Sequence, residues 1–271
     1  MTNPMLRVAI FGVSGRMGRA LLSALDEVPD ARLTGASASV QSRWNGKDAG
    51  EPSGSALRNV LISADAGHAI RDANVAIDFA LPEGTPANLR ACVAAGCPLV
   101  IGTTGHDAAA RAEIEAAAQK IAIVSAPNMS LGVTLLLKVV ELTAATLDAG
   151  YDIEVFEAHH RNKKDAPSGT ALALGRAAAE GRKVTLDAIA EYARHGNTGA
   201  RERGAIGFSV FRGGDVVGDH TVTFAGIGER IELTHRASDR MAFARGAVAA
   251  ARWIHGRKPG LYSMQDVLGL S

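Results

Sequence analysis

Short apolar runs alternate with amphipathic stretches through roughly the first half of the chain. The runs LRVAIF (6–11), ARLTGAS (31–37), VAIDFA (75–80), LVIGTTG (99–105) and IAIVSAPN (121–128) predict strands. Helical spacing predicts helices after residue 18, from Thr85 or Pro86 to about Ala95, and from Asp107 to about Gln119. This alternation predicts an α/β fold with a Rossmann-like, doubly wound parallel sheet and right-handed crossovers. Residues 44–74 show weak periodicity and stay unassigned.

The hydrophobic pattern changes near residue 130. Ser130 is a plausible cap for a helix that reaches about Leu147, and this helix is apolar nearly all round, which predicts that it is buried. Strand-like alternation then recurs in YDIEVFEAHH (151–160), AIGFSVFR (205–212), DHTVTFA (219–225) and ERIELTHR (229–236). Strands that follow strands predict a second, α+β domain on a mixed or antiparallel sheet.

A final amphipathic helix begins at Arg240 and ends at Gly256, and we expect it to return to the first domain. The predicted domains are therefore 1–129 plus 240–271 for dinucleotide binding and 130–239 for substrate binding and oligomerisation. The tail LYSMQDVLGL keeps enough apolar residues to pack against the fold.

Composition narrows the class of protein. The chain has 271 residues, 47% of them hydrophobic, and a formal net charge of +1, so nucleic acid is not an expected partner. The two cysteines, Cys92 and Cys97, exclude a disulfide framework, fit a reducing compartment and are expected to be small buried thiols. No apolar run approaches the roughly 20 residues that span a bilayer, and the N-terminus enters a strand instead of showing a signal peptide. We expect a cytoplasmic enzyme or binding protein with no membrane partner.

The first strand runs directly into GVSGRMG (12–18) and a helix. Glycines in such a turn let a pyrophosphate approach the helix N-terminus, where unpaired N–H groups and the helix dipole favour negative charge. The spacing is GxxGxxG, which alone is weak evidence for a nucleotide site and also fits a structural turn. Ligands of such sheets bind at the carboxyl ends of strands, so Gly12 to Met17, Phe79, Gly102 to Thr104 and Ala126 to Met129 are expected to face one crevice.

The end of the second strand bears on the choice of cofactor. NAD-selective folds carry an acidic residue there, but residues 37–43 read SASVQSR and contain no carboxylate. A carboxylate about 4 Å from a 2′-phosphate would oppose it by roughly 4 kcal/mol at an effective dielectric of about 20. Its absence, together with hydroxyls such as that of Ser39 and with Arg43 nearby, predicts NADPH in preference to NADH.

The segment EAHHRNKKDAPSGTA (157–171) concentrates imidazoles, cations and a Ser-Gly-Thr run that opens a helix. Imidazoles exchange protons near neutral pH, and helix-opening N–H groups bind carboxylates or phosphates. We interpret it as an anionic-substrate site with proton-transfer groups; the alternative is a solvated basic loop. His159 and His160 point to opposite faces of a strand, which argues against a shared metal, and no spacing completes a zinc site or a GxSxG elbow.

Other motifs accompany this segment along the chain: GVSGRMG, DFALPEGT, VIGTTG, SAPNMS, GIGER and GLYSMQDVL. Together they resemble the 4-hydroxy-tetrahydrodipicolinate reductase (dihydrodipicolinate reductase) family of bacterial lysine and diaminopimelate biosynthesis. The resemblance covers essentially the whole chain in the same order. It implies NAD(P)H-dependent reduction of a cyclic dicarboxylate imine to tetrahydrodipicolinate in a cytoplasmic homotetramer.

The resemblance also implies roles for individual residues. His159 would be a proton donor or acceptor and Lys163 a proton donor, while His160, Ser168, Gly169 and Thr170 would hold substrate carboxylates. The residues implied or inferred to bind the cofactor lie on strand ends of the first domain: Gly12, Val13, Ser14, Gly15, Arg16, Met17, Ser39, Phe79, Gly102, Thr103, Thr104, Ala126, Pro127, Asn128 and Met129.

Some positions depart from the family pattern. Ala38 and Ser39 replace the acidic residue that is often found after the second strand, so cofactor selectivity cannot be copied from relatives. Met129 stands where an aromatic is frequent, and Leu81 stands where a polar or basic residue can occur; both bear on nicotinamide contacts. Arg240 either reaches the substrate or caps the last helix.

Two other functions remain open at this point. One is a related oxidoreductase that acts on an amino or keto acid. The other is a Rossmann protein that binds dinucleotide as a sensor without turnover. The sensor predicts that segment 157–171 is inert.

Overall fold

The protein was analysed as a computed structural model, which describes residues 5–270. Two predictions fall partly outside the described residues. The first domain was predicted to begin at residue 1 and to end at residue 271, and the prediction of no signal peptide includes residues 1–4. The chain divides into two compact units. One runs through Leu131 and resumes at Arg240, and the other is Gly132–Asp239.

Outside residues 44–74, the elements of the first stretch alternate between strands and helices as the hydrophobic pattern predicts. They are β1 (Leu6–Phe11), α1 (Arg16–Asp26), β2 (Ala31–Ser37), β3 (Ile62–Ser63), α2 (Ala66–Ile70), β4 (Val75–Asp78), α3 (Thr85–Ala95), β5 (Leu99–Ile101), α4 (Ala108–Ala118), β6 (Ala122–Ser125) and α5 (Leu131–Thr146).

Strands dominate the second unit, and the chain then ends in two helices and a short strand. The elements are β7 (Asp152–His159), α6 (Gly169–Gly181), α7 (Leu186–Ile189), β8 (Ala190–Glu191), β9 (Ile206–Arg212), β10 (Gly218–Ala225), β11 (Arg230–Ala237), α8 (Met241–Ile254), β12 (Gly260–Tyr262) and α9 (Met264–Leu268).

The first unit is a doubly wound parallel sheet in the order β12-β6-β5-β4-β1-β2-β3. Alternate residues of β1 enter different cores: Val8 and Ile10 join the cluster under α1 and α8, while Ala9 and Phe11 join the cluster with α3 and α4. A strand that is covered on both faces needs apolar residues at every covered position, which is why VAIF (8–11) reads as a continuous apolar run. The predicted fold class is confirmed.

The second unit contains a mixed sheet in the order β11-β10-β7-β9-β8. Strand β10 runs antiparallel to β7 and β11, whereas β9 runs parallel to β7 and β8. Its core is formed by one sheet face, with Ile153 and Val155 on β7, and by α6, with Leu174 and Ala178.

Two sequence interpretations need revision. Helix α5 is not buried all round within the described residues: Leu136, Val140 and Ala144 enter the core, but Leu135 and Leu142 are 50% and 64% exposed. An apolar helix surface predicts burial only if some part of the fold covers it, and the single chain covers one face.

The other revision concerns residues 44–74, which contain β3, α2 and a buried aspartate that organises a loop. The Asp48 carboxylate accepts hydrogen bonds from the N–H groups of Gly50, Arg58 and Val60 at 2.8, 2.8 and 3.3 Å. Such a loop is built by long-range bonds to one side chain, so it leaves no periodic signal in the sequence.

Candidate active site

The turn between β1 and α1 is shaped by glycines. Gly12 has φ +79°, and the N–H groups of Gly12 and Val13 donate to the Ser37 carbonyl at 2.9 and 3.0 Å. Helix α1 starts after Gly15 with no side-chain cap and no acidic residue in its first turn. Its N-terminal N–H groups therefore remain available, and the helix dipole favours an anion there.

Close backbone approach makes glycine necessary at two of these positions. A Cβ on Gly12 would lie 2.7 Å from the Phe79 carbonyl oxygen, and a Cβ on Gly18 would lie 2.4 Å from the carbonyl oxygens of both Gly12 and Val13. No side chain fits either contact without backbone movement. The GxxGxxG spacing thus reflects the packing of β1, α1 and the end of β4.

A cleft of about 510 Å³ opens at the carboxyl ends of the strands. It brings together most of the predicted cofactor residues, and Phe243 of α8 joins them. The predicted residues that line it are Arg16, Met17, Phe79, Gly102, Thr103, Thr104, Pro127, Asn128 and Met129.

The other predicted cofactor residues lie outside this cleft. Val13 is fully buried in the core, and Gly12, Ser14 and Gly15 belong to the turn before α1 and do not line the cleft. Ala126 lines a neighbouring cleft of about 500 Å³. Ser39 is exposed, and its carbonyl accepts a hydrogen bond from the Asn45 amide at 3.0 Å.

The hydrophobic pattern does not predict the buried carboxylate that supports two residues of this cleft. Asp78 ends β4 with no exposed surface, accepts from the Ala80 N–H at 2.8 Å, and accepts from the Thr103 hydroxyl at 3.2 Å. Burial raises the pKa of Asp78, although these bonds oppose the rise. The carboxylate connects the loops after β4 and β5, so it fixes the wall of the cleft.

The loop after β2 carries cations. The Arg43 guanidinium lies 4.8 Å and the Lys47 ammonium 5.4 Å from the centre of the Trp44 ring. No carboxylate occurs between residues 38 and 47. The loop that contains Ser39 therefore carries two cations and no carboxylate of its own.

In the second unit, β7 places polar side chains on its core face. Ile153, Val155, Glu157 and His159 alternate toward the core, and the last two are 0% and 8% exposed. The Glu157 carboxylate lies 2.5 Å from Nδ1 of His159. An apolar strand face thus ends in a buried acid and imidazole.

Glu157 is held by residues from other elements. Both terminal nitrogens of Arg212 on β9 donate to its two oxygens at 2.7 Å, and the Ser168 N–H donates to Oε1 at 2.9 Å. Burial alone would raise the pKa of Glu157, but the bonds from Arg212, His159 and Ser168 outweigh it and lower the pKa. Glu157 is therefore an ionised carboxylate despite its burial.

His220 of β10 lies opposite Glu157 in the sheet and joins this cluster. Its Nε2 is 3.0 Å from the Ser168 hydroxyl, and its ring meets that of His159 edge-on at 5.1 Å. Burial, with a smaller contribution from His159, lowers the pKa of His220 to about 4. Burial also lowers the pKa of His159, while Glu157 opposes that shift.

The remaining predicted residues of this segment surround the cluster. Lys163 makes two 2.9 Å bonds to the Asp165 carboxylate, and its side chain is 20% exposed. The His160 N–H donates to the Val216 carbonyl at 2.7 Å, while its Nδ1 is buried without a partner among the described residues.

The Ser-Gly-Thr run opens α6, as its sequence predicts. Ser168 is the N-cap, and its hydroxyl accepts from the Ala171 N–H at 3.1 Å. Gly169 begins the helix and Thr170 follows it. Ser168 is thus engaged within the unit, whereas the helix N-terminus next to it has the polarity that suits an anion.

Glu157 lies within the predicted segment 157–171 but had no predicted role, and Arg212 and His220 were not predicted to belong to the site. The available signal was a charged residue at an inward position of each alternating strand, where an apolar side chain is usual. At the start of α8, Arg240 occupies the N-cap position without a side-chain capping bond.

Within residues 5–270 no group of three His, Cys, Asp or Glu side chains is arranged to hold a metal ion. No helix in that range is long and apolar enough to cross a membrane.

Comparison with known proteins places both units in one family. Residues 6–129 match the family model for the N-terminus of dihydrodipicolinate reductase, and residues 132–268 match the model for its C-terminus. The 4-hydroxy-tetrahydrodipicolinate reductase of Thiobacillus denitrificans is 54% identical over 98% of this chain and 99% of that protein. The enzyme of the same name from Magnetococcus marinus is 53% identical over 97% of this chain and 98% of its own length.

Solved structures show the same fold. The dipicolinate-bound dihydrodipicolinate reductase from Paenisporosarcina sp. TG-14 superposes with a TM-score of 0.77, at 24% identity, over 97% of this chain and 98% of that chain. An amine dehydrogenase from Mycobacterium smegmatis gives 0.59 at 13% identity over 96% of this chain and 95% of that chain.

The fold and the site define a two-unit α/β protein in which a Rossmann-type unit is joined to a mixed-sheet unit with a buried His-carboxylate cluster. The chain belongs to the dihydrodipicolinate reductase family.

Proposed function

We propose that the protein reduces 4-hydroxy-tetrahydrodipicolinate, via dihydrodipicolinate, to tetrahydrodipicolinate with NAD(P)H, in lysine and diaminopimelate biosynthesis. The observation that carries the proposal is full-length similarity, at 54% identity, to a relative named for this reaction. The buried cluster around His159 supports it, because such a reduction must deliver a proton as well as a hydride.

The first unit fits a nicotinamide dinucleotide. Its pyrophosphate would be held by the N-terminal N–H groups of α1 and by Arg16, and its nicotinamide by the cleft residues from Phe79 to Met129. When bound, the cofactor supplies the hydride. The cations Arg43 and Lys47, on the loop that contains Ser39, support NADPH as the preferred form and NADH as the second.

The second unit would supply protons. His159 is the proposed proton donor or acceptor, and Lys163 the proposed proton donor. Nε2 of His159 has no partner among the described residues, and a Cβ on the neighbouring Gly218 would lie 3.1 Å from it. The glycine therefore leaves this nitrogen room to approach a substrate. A positioned acid typically contributes about 10² to 10⁴ in rate.

The same unit would hold the substrate's two carboxylates. We assign that role to His160, Ser168, Gly169 and Thr170. The buried Nδ1 of His160 lacks a partner, which supports a polar ligand near this ring. Ser168 contributes chiefly by capping α6, so that the backbone at Gly169 and Thr170 is directed toward the anion.

We further propose a homotetramer that works in a reducing compartment. Phe156 and Phe211 lie on the sheet face opposite the core and are 43% and 49% exposed, which supports contact with other copies. The buried free thiols Cys92 and Cys97 are compatible with reducing conditions. Light scattering on the purified protein tests the assembly, and a monomer at micromolar concentration would refute it.

A coupled assay tests the reaction. The preceding synthase supplies substrate, and oxidation of NADPH and of NADH is followed by absorbance. We expect oxidation that depends on the synthase, with a higher kcat/KM for NADPH. No oxidation of either cofactor would overturn the proposed reaction in favour of a sensor or another substrate, and a higher efficiency with NADH would overturn only the cofactor preference.

A further inference from the structure

The proposed reaction gives no role to the Glu157 carboxylate, which binds several members of the buried cluster. It is completely buried, yet it receives two bonds from Arg212, one from the Ser168 N–H and one from the His159 ring. Burying a carboxylate costs several kcal/mol unless hydrogen bonds compensate it. An apolar side chain at position 157 could be buried at a lower free-energy cost, as Val155 is on the same face of β7.

Strand geometry explains why this carboxylate reaches His159. Side chains at positions i and i+2 share one face of a strand, so Glu157 and His159 lie side by side. Arg212 stands directly opposite His159 on β9 and reaches back to clamp both oxygens of Glu157. The bidentate fork fixes the plane of the carboxylate as well as its position.

The contact determines how the imidazole presents its nitrogens. An ionised carboxylate only accepts hydrogen bonds, so the Nδ1 that lies 2.5 Å from it must carry the proton. Nε2 is then the nitrogen that exchanges a proton with a ligand. Without Glu157, a neutral ring would be free to place its single proton on either nitrogen and to rotate about its side-chain bonds.

We propose that Glu157, clamped by Arg212, is a positioning residue that holds His159 with Nε2 directed toward the substrate and stabilises the ring when it is protonated. Its second oxygen binds the Ser168 N–H, so the same carboxylate also fixes the start of α6. This inference rests on the proposed function, because it assigns His159 the proton transfer.

The charged and titratable groups around His159 set the sign of the expected pH effect. Burial lowers the pKa of His159, Glu157 raises it, and Lys163 and Arg212 lower it further. His220 adjoins the ring on β10. His235 on β11 pairs with His220. Removing the negative charge of Glu157 therefore lowers the pKa of His159, and the activity limb that requires the protonated ring moves to lower pH.

The first test is Glu157→Gln in the full-length protein. We expect kcat to fall about 10²-fold, at the low end of what a positioned acid contributes, with KM for substrate changed less than threefold. The matched control is Glu154→Gln, which removes an Arg-paired carboxylate from the other face of the same strand and should leave kcat within about twofold. Equal kcat values for Glu157→Gln and the wild type would overturn the proposal.

A double-mutant cycle separates positioning from general structural damage. If Glu157 acts through His159, adding Glu157→Gln to His159→Gln lowers the residual rate by less than twofold. A merely structural carboxylate would multiply the two losses, and that result would overturn the proposal. Should Glu157→Gln fail to fold by circular dichroism, Glu157→Asp keeps the charge, shortens the reach to His159 and serves in the same cycle.

A readout without turnover distinguishes failure of this inference from failure of the proposed function. Nitrogen-15 NMR of histidine-labelled protein reports which ring nitrogen carries the proton. We expect Nδ1–H for neutral His159 in the wild type, and a changed tautomer ratio with a lower pKa in Glu157→Gln. An unchanged ring in the variant would overturn the positioning role even if the enzyme is active. The expected NMR change in a protein without reductase activity would overturn the proposed function alone.

Discussion

The glycine turn at the start of α1 in the first unit and the histidine cluster of the second unit are built in opposite ways. The former consists of backbone: Gly12 and Gly18 touch carbonyl groups, and an uncapped helix end presents N–H groups. The latter consists of side chains, in which Glu157 gathers bonds from β9 and from the start of α6. The glycine turn depends on the absence of side chains at Gly12 and Gly18, whereas the cluster depends on the charge and length of each of its side chains.

Replacing His159 should produce the largest effect and test this contrast most severely. We expect His159→Gln to lower kcat by about 10² to 10⁴, because it removes the proposed proton-transfer group. The dissociation constant of NADPH, measured by fluorescence titration, should stay within twofold of the wild type. A wild-type kcat, or a large loss of NADPH affinity, would contradict the separation of roles. Lys163→Met provides the parallel test for the other proposed donor.

His220 should make the free energy of unfolding of the protein depend on pH. Its folded pKa of about 4 lies below the ordinary 6.5, so the unfolded chain binds more protons between these values and stability falls as pH drops through this window. The loss from this residue is on the order of 3 kcal/mol by pH 4. Urea unfolding at pH 7 and pH 4 should show a smaller decrease for His220→Gln than for the wild type. Equal decreases would refute the buried neutral imidazole.

Gly18→Ala tests the glycine turn at the start of α1. A Cβ 2.4 Å from two carbonyl oxygens forces backbone movement, and we expect a loss of about 1 to 3 kcal/mol in stability together with weaker NADPH binding. The control is Gly84→Ala, where the nearest atom to a new Cβ is 3.7 Å away. Thermal unfolding and NADPH titration measure both effects. If the two variants behave alike, close approach does not explain the glycine.

The smallest effect is expected at Ser39, on the loop that we propose selects between NADPH and NADH. Ser39→Asp places a carboxylate near the proposed 2′-phosphate, and at about 4 Å in water the repulsion is roughly 1 kcal/mol. The ratio of kcat/KM for NADPH to that for NADH should therefore fall about five- to tenfold. Ser23→Asp adds the same charge on an exposed part of α1 and should leave the ratio unchanged. An unchanged ratio in Ser39→Asp would place the 2′-phosphate elsewhere.

These two regions also differ in how far the sequence predicts them. Strand β1, its glycine turn and α1 are contiguous, so their local pattern predicts both the fold and the cleft residues Arg16 and Met17. The cluster joins Glu157 to Arg212 across 55 positions in the chain, and only sheet register brings them together. The sequence therefore predicts His159 without the residues that hold it.

The sequence did not predict the exposed face of α5 or the structure of the loop at Asp48, and the reasons are related. The apolar surface of α5 does not show which of its faces the chain itself covers, and Leu142 is 64% exposed. The Asp48 loop is held by bonds from residues up to 12 positions away, which produce no periodicity. Local patterns predict elements well, but burial and loop structure depend on partners that are distant in the chain.

Titration of dipicolinate, the planar dicarboxylate bound in the reductase from Paenisporosarcina sp. TG-14, tests the division of labour most directly. Calorimetry on the wild type and on His160→Ala, both saturated with NADPH, gives its dissociation constant, and the NADPH constant is measured beforehand. We predict that His160→Ala weakens dipicolinate at least tenfold, as loss of a bond to a charged carboxylate implies, and leaves NADPH within twofold. Unchanged dipicolinate affinity, or equal weakening of both ligands, would contradict the account.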